Sequence, residues 1–148
     1  MKTYNILLKQ ILDKRVVNSI SGGDAGSIWL IEFENDSYFL IYSAWRIEQN
    51  NQTKATYTDD DTDIIGLLSR SVKEIEGKKL LAYELSEQYD LNLFFEDNYN
   101  VKIFCLLSYS GTENGETYDT NWEFGIRQTH QMFYINNYFQ VVEKPYEG

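Results

Sequence analysis

The chain matches itself when slid along by about 62 residues, and no other feature restricts its fold as much. Phe33-Glu34-Asn35-Asp36 recurs as Phe95-Glu96-Asp97-Asn98, 62 residues later. Each turn is flanked by two apolar runs. In the first instance these are Trp29-Leu30-Ile31-Glu32-Phe33 and Tyr38-Phe39-Leu40-Ile41-Tyr42; in the second they are Leu91-Asn92-Leu93-Phe94-Phe95 and Tyr99-Asn100-Val101-Lys102-Ile103-Phe104. Both patterns predict β-hairpins. In the second hairpin every other residue is apolar, as expected when one face is buried. The first is apolar on both faces, which places it nearer the middle of a sheet.

The match extends in both directions. Upstream, Lys14-Arg15-Val16-Val17 corresponds to Lys78-Lys79-Leu80-Leu81, and a helical pattern precedes each. Ile64, Leu68, Val72 and Ile75 share one helix face, with Asp61 or Thr62 as N-cap and Gly77 as the stop. Leu7, Leu8, Ile11 and Leu12 repeat that pattern after Thr3. Asp59, Asp60, Asp61 and Asp63 at the start of the second helix, and Arg70, Lys73, Lys78 and Lys79 towards its end, suit the helix dipole. Downstream, Trp45-Arg46-Ile47 corresponds to Trp122-Glu123-Phe124 at an offset of 77, so the second copy carries 15 additional residues within 106–121. That insertion is polar and Gly-containing, the composition of a surface loop. Strand-like runs at 131–135 and 138–142 follow, joined through Asn136-Asn137, and Pro145 ends the pattern.

These patterns predict an α+β, β-dominated fold: a tandem α-β-β-β-β repeat with two helices and about eight or nine strands, mostly antiparallel because the joins are short. Each copy is marginal alone, so the two should fuse into one sheet or open barrel flanked by the helices. The expected organisation is a single domain, 1–148, with copies at about 3–57 and 62–143. A chain of 148 residues with 16% aromatic side chains has the material for a real core.

Charge and cysteine content narrow the function classes. The net charge is −10, from 23 acidic against 13 basic residues, which disfavours nucleic acid and anionic membranes as partners. One cysteine cannot form an intrachain disulfide, the first residues lack a signal-like apolar segment, and no apolar run approaches the roughly 20 residues of a membrane span. The expected location is the cytoplasm.

No constellation points to catalysis, a cofactor or a metal. Cys105 lies on the alternating face of Val101 and Ile103, where a strand-core cysteine belongs, and His130, the lone histidine, falls in an interstrand turn. One His and one Cys do not make the usual zinc set. Asp59, Asp61 and Asp63 open like a calcium loop, but Ile64 and Arg70 stand where the turn glycine and the bidentate glutamate belong. The Gly-rich stretch from Ser21 to Ser27 leads into a strand instead of a helix and has no nearby base, so its glycines serve a hairpin loop. The many carboxylates include no pair that sequence alone marks as acid and base.

Residues 80–101 and 103–126 contain no Lys or Arg. If these stretches share one sheet they form an acidic rim interleaved with tyrosines, a composition suited to a basic protein partner. The candidate interface residues are Glu96, Asp97, Glu113, Glu116, Tyr118, Asp119 and Glu123.

The hairpin pattern of 91–104, followed after a polar gap by Asn121-Trp122-Glu123, resembles small bacterial domains that include immunity proteins of contact-dependent and polymorphic toxin systems. The resemblance covers most of the second copy and, more weakly, the first. It implies a cytosolic, non-enzymatic inhibitor, a monomer or weak homodimer, that binds a basic toxin domain, often a nuclease, and occludes its active site. The alternative is a small-molecule-binding or hydrolytic domain with a site in the sheet concavity near Trp45 and Trp122. A third possibility is an assembly module that oligomerises through a sheet edge.

Overall fold

The computed structural model describes residues 2–22, 28–56, 67–106 and 120–145. These hold two short helices and eleven strands: α1 (Thr3–Leu8), β1 (Val16–Gly22), β2 (Ile28–Phe33), β3 (Ser37–Ile41), β4 (Ala44–Gln49), β5 (Gln52–Thr56), α2 (Leu67–Lys73), β6 (Leu80–Leu85), β7 (Leu91–Phe95), β8 (Tyr99–Phe104), β9 (Thr120–Ile126), β10 (Gln131–Asn136) and β11 (Val141–Pro145). The fold is β-dominated and every strand pairing is antiparallel, as the short joins require.

The expectation of one continuous sheet or open barrel is corrected. The strands form two sheets, a six-stranded one in the order β1-β2-β3-β9-β10-β11 and a five-stranded one in the order β5-β4-β8-β7-β6. The chain changes sheet between β3 and β4 and again between β8 and β9. At the first crossing the N–H groups of Tyr42 and Ser43 both donate to the Asn121 carbonyl, at 2.9 and 3.0 Å. Each sheet therefore joins three consecutive strands from one half of the chain to later strands from the other half.

Some contacts come in pairs, at offsets of 62, 64 and 77 residues. At one corner the sheets meet through the Arg15–Lys79 bridge. Around it Val16 N–H donates to Lys78 O (3.0 Å) and Leu80 N–H to Lys14 O (2.9 Å), while Asp13 N–H donates to Leu80 O and Gly77 N–H to Val16 O, both at 2.8 Å. Asp13 and Gly77, 64 residues apart, both turn the chain in the left-handed region, at φ 68° and 86°. A bulge follows Val16 in β1 and Leu80 in β6. Ile41 faces Trp122 and Phe39 faces Phe124 across β3–β9; Ile103 faces Trp45 and Val101 faces Ile47 across β8–β4.

One core lies between the sheets. Trp29, Ile31, Phe33, Phe39, Trp122 and Phe124 enter it from the six-stranded sheet, and Trp45, Ile47, Leu93 and Val101 from the other. The rings of Trp29 and Trp45 meet across the layer at 4.5 Å. Trp45 and Trp122 are fully buried, so the place expected for a concave site is packed interior.

Helix α1 is shorter than the apolar spacing suggests. Leu7, Leu8 and Ile11 are buried, but α1 gives way to a 3-10 turn over Lys9–Ile11, and Leu12 is extended and exposed. α2 packs on β1 and β5, and Val72 and Ile75 enter the core. Its expected caps, Asp61 and Thr62, lie outside the described residues, as do the aspartate run 59–63 and the Gly-rich residues 23–27. β5, Gln-Thr-Lys-Ala-Thr, has no apolar alternation for the sequence to reveal. β11 begins three residues later than expected because Asn136 Oδ1 accepts the N–H groups of Tyr138 and Gln140 and widens the turn.

Candidate functional site

On the outer face of the six-stranded sheet, strand register aligns one residue from each strand: Ile20, Leu30, Leu40, Glu123, Tyr134 and Val142. Five of the six are apolar or aromatic and the sixth is a carboxylate. Their neighbours in sequence, Trp29, Ile31, Phe39, Ile41, Trp122 and Phe124, are fully buried on the opposite face, which fixes the outward direction of the row. Ile20 and, in the adjoining row, Tyr42 stand 46% and 41% exposed, so the face is open to a partner.

Glu123 is positioned from both sides. It accepts a 2.7 Å hydrogen bond from the buried Tyr38 hydroxyl. The ring of Tyr38 lies directly over Gly125, its register partner, where a side chain would leave no room. Over the same ring sits the Arg127 guanidinium, 4.7 Å from the centroid, which pairs with Glu32 at 2.8 Å and Asp36 at 3.3 Å. Burial and the neighbouring Glu123 carboxylate push the Tyr42 hydroxyl above its ordinary pKa. Among the described residues no cation forms an ion pair with Glu123, a state it shares with Glu34, Glu84, Glu87, Asp90 and Glu143, whereas Asp13, Glu32, Asp36, Glu48, Glu74, Glu76, Glu96 and Asp97 each have at least one.

The other sequence candidates fall elsewhere. Glu96 accepts the Lys79 N–H at 2.7 Å and pairs with Arg15 at 3.1 Å, so its carboxylate braces the corner where the sheets meet. Asp97 pairs with Lys78 at 2.7 Å. Glu113, Glu116, Tyr118 and Asp119 lie outside the described residues. The two ends of that segment are tied together by the buried Asn121 amide, which accepts the Leu106 N–H at 2.9 Å and donates to Leu106 O at 3.2 Å and Asn136 O at 3.0 Å. The continuous acidic rim is corrected. Residues 80–101 belong to the five-stranded sheet and Glu123 to the other, because β9 pairs with β3 and not with β8. Within β6–β8, Glu84, Glu87 and Asp90 lie at one end of β7 and Glu96 and Asp97 at the other.

Charge divides unevenly along the chain. Residues 23–27, 57–66, 107–119 and 146–148 contain nine acids and no Lys or Arg, while the described residues hold 14 acids against 13 bases. Nearly all of the −10 net charge thus resides in a few short segments, the longest of which, 107–119, leads into β9 three residues before Glu123.

Cys105 and His130 are not a pair. Cys105 follows β8, where its N–H donates to Asp90 Oδ1 at 2.7 Å and its Sγ lies 3.2 Å from Tyr89 O. Burial, reinforced by Asp90, pushes its thiol up to about 12. His130 is an exposed left-handed turn residue beyond the far end of β9. Among the described residues no group of three His, Cys, Asp or Glu side chains is placed to hold a metal ion, and no helix is long and apolar enough to cross a membrane.

The row around Glu123 was missed in the sequence because it depends on register across six strands. Its trace was the second apolar phase of β2 and β3, Leu30, Tyr38, Leu40 and Tyr42, which marks an apolar outer face as well as a central position. Compared with protein-family models, curated proteins and solved structures, the chain matches none.

Proposed function

We propose that this chain is a non-enzymatic binding protein of the immunity type, which uses the outer face of its six-stranded sheet, centred on Glu123, to cover a basic, nuclease-type toxin domain. One observation carries this: an open apolar and tyrosine row whose one charge, the Glu123 carboxylate, is held by Tyr38 and has no cationic partner among the described residues. A carboxylate kept uncompensated in an apolar surround favours a partner that supplies the cation. The acidic segment 107–119 adds a long-range field that speeds encounter with a positively charged cleft. Inhibition is steric and electrostatic, in the cytoplasm, with a monomer or weak homodimer as the acting species.

We further take the chain as two copies of one α-β-β-β-β unit, about 3–57 and 62–143, whose later strands are exchanged between the sheets. The contacts that recur at offsets of 62, 64 and 77 support this.

The test is native co-purification with this chain as bait, followed by an activity assay on the captured protein. A basic enzyme inhibited stoichiometrically is expected. Its association with Glu123→Gln, which keeps an acceptor for Tyr38 but loses the charge, should be several-fold slower at low salt, with the difference shrinking as salt rises. Equal rates for the two proteins across the salt series would remove Glu123 from the interface.

A further inference from the structure

The two sheets place corresponding rows on their outer faces, and the rows differ in the side chains that fill the space beside the turn. In the six-stranded sheet the register runs Asn18, Glu32, Tyr38, Gly125; in the five-stranded sheet it runs Ala82, Phe94, Asn100, Glu48. The adjoining turns are tied in the same way, Arg127 N–H to Asp36 O at 3.1 Å and Asn50 N–H to Asn98 O at 3.2 Å. In the first row the space beside the turn is filled. The Tyr38 ring occupies the room left by Gly125, and Arg127 closes over it, held by Glu32 and Asp36.

In the second row the filling groups are gone. Asn50 stands at the position of Arg127, Phe94 at that of Glu32, Asn98 at that of Asp36 and Asn100 at that of Tyr38. Glu48 turns to Arg46 and Lys102. A cavity of about 480 Å³ remains, lined by Asn50, Asn51, Asn98, Asn100, Phe94 and the 57% exposed Leu81. That volume is in the range of small-ligand sites.

We infer that this cavity is a binding site for a neutral, hydroxyl-bearing ring of the pyranose class. No carboxylate, ammonium or guanidinium group is among its lining residues, which gives a charged ligand no counter-ion. Its polar side chains are four carboxamides and the largely buried Tyr99; each carboxamide offers both an acceptor and two donors, matching hydroxyls that also do both. Asn98 Nδ2 donates to Asn50 Oδ1 at 3.0 Å, which orients two of the four, while Asn100 Oδ1 is buried without a hydrogen bond among the described residues. Phe94 and Leu81 supply the apolar wall against which the C–H face of a sugar ring packs. The site lies on the opposite sheet from Glu123, so it stands or falls independently of the proposed protein partner.

The experiment is a titration of the intact protein with methyl glucoside, methyl galactoside and N-acetylglucosamine, each to about 100 mM, followed by the side-chain NH2 resonances of Asn50, Asn51, Asn98 and Asn100, because a single small site of this type binds in the millimolar range. Saturable shifts confined to these groups with at least one sugar are expected, and they should disappear in Phe94→Ala. Asn51→Gly, which keeps the left-handed turn at φ 64° while removing one carboxamide, should weaken binding several-fold in a protein that folds normally. The inference is overturned if no sugar shifts these resonances, if the shifts survive Phe94→Ala unchanged, or if methylguanidinium binds there more tightly than every sugar.

Discussion

Gly125→Ala should unlock the Tyr38 wedge. A Cβ at position 125 would stand 2.5 Å from Tyr38 Cε1, 2.7 Å from its hydroxyl oxygen and 2.8 Å from Cζ, closer than carbon and oxygen atoms approach without bonding. The obstacle is a ring in a buried sheet position, 3% exposed, so relief by rotation of the ring outward has a definite cost. Exposing the aromatic ring forfeits about 1.5–3 kcal/mol of burial. Losing the hydrogen bond to Glu123 forfeits about 1.5–3 kcal/mol more, since the acceptor is ionised. Partial re-solvation and new rotamer freedom return part of this, which leaves an expected destabilisation of about 3 kcal/mol, or a fall in Tm of about 6–12 °C for a chain of this size. Thermal unfolding followed by circular dichroism measures it. The decisive control is the same substitution in a Tyr38→Ala background, where nothing opposes the new Cβ. There Ala should be neutral or better than Gly by about 0.5 kcal/mol, because it restricts the unfolded chain. A single substitution that leaves Tm unchanged, or one that costs the same in both backgrounds, would refute the packing of Tyr38 on Gly125 and with it the support of Glu123.

Asn121→Ala removes three hydrogen bonds at the junction of β8, β9 and β10 and leaves Leu106 N–H without its acceptor; a loss of about 2–4 kcal/mol is expected, read as a lower urea midpoint at unchanged m. Cys105 should react slowly with a thiol reagent at about pH 8 until the protein is unfolded, since its folded pKa is raised to about 12. The same shift sets a pH dependence. The folded state holds its thiol proton above the pH where the unfolded thiol, near 8.5, releases it, so the stability from this group is complete below about pH 8.5 and is lost as pH rises towards the folded value. Urea midpoints should therefore decline from about pH 8.5 upward, and decline less in Cys105→Ala. Tyr4, Tyr42, Tyr83 and Tyr99, all raised chiefly by burial, act in the same direction at higher pH.

Local patterns read well because their physics is local. The hairpins around Glu34-Asn35-Asp36 and Glu96-Asp97-Asn98 were legible from period-2 alternation and turn-forming residues, and the structure places β2–β3 and β7–β8 there. Trp45 and Trp122, compared with each other in the sequence, face Ile103 and Ile41 across β4–β8 and β3–β9. β5 was not legible, since a five-residue polar strand is held by backbone pairing with β4, by the burial of Ala55, and by tertiary contacts of β5 with α2 and of Lys54 with Glu74, none of which leaves an apolar alternation in the sequence. Of the interface candidates, Glu123 lies on an open face, but Glu96 and Asp97 could not be recognised as bonded, because Arg15 approaches from 81 residues away and Lys78 and Lys79 are set opposite them only by the register of β6 on β7.

From the sequence alone came most of the strands, their antiparallel joins, the tightness of their turns and the excess of acid, all properties of residues within a few positions of one another. Only the tertiary structure decided that β9 lies beside β3 and β4 beside β8. Every strand edge offers the same backbone donors and acceptors, so pairing partners are chosen by how two apolar faces close on each other, a property of the whole chain. That choice splits the expected single platform into two sheets, encloses all three tryptophans, and sets Glu123 in an apolar row that no stretch of sequence contains.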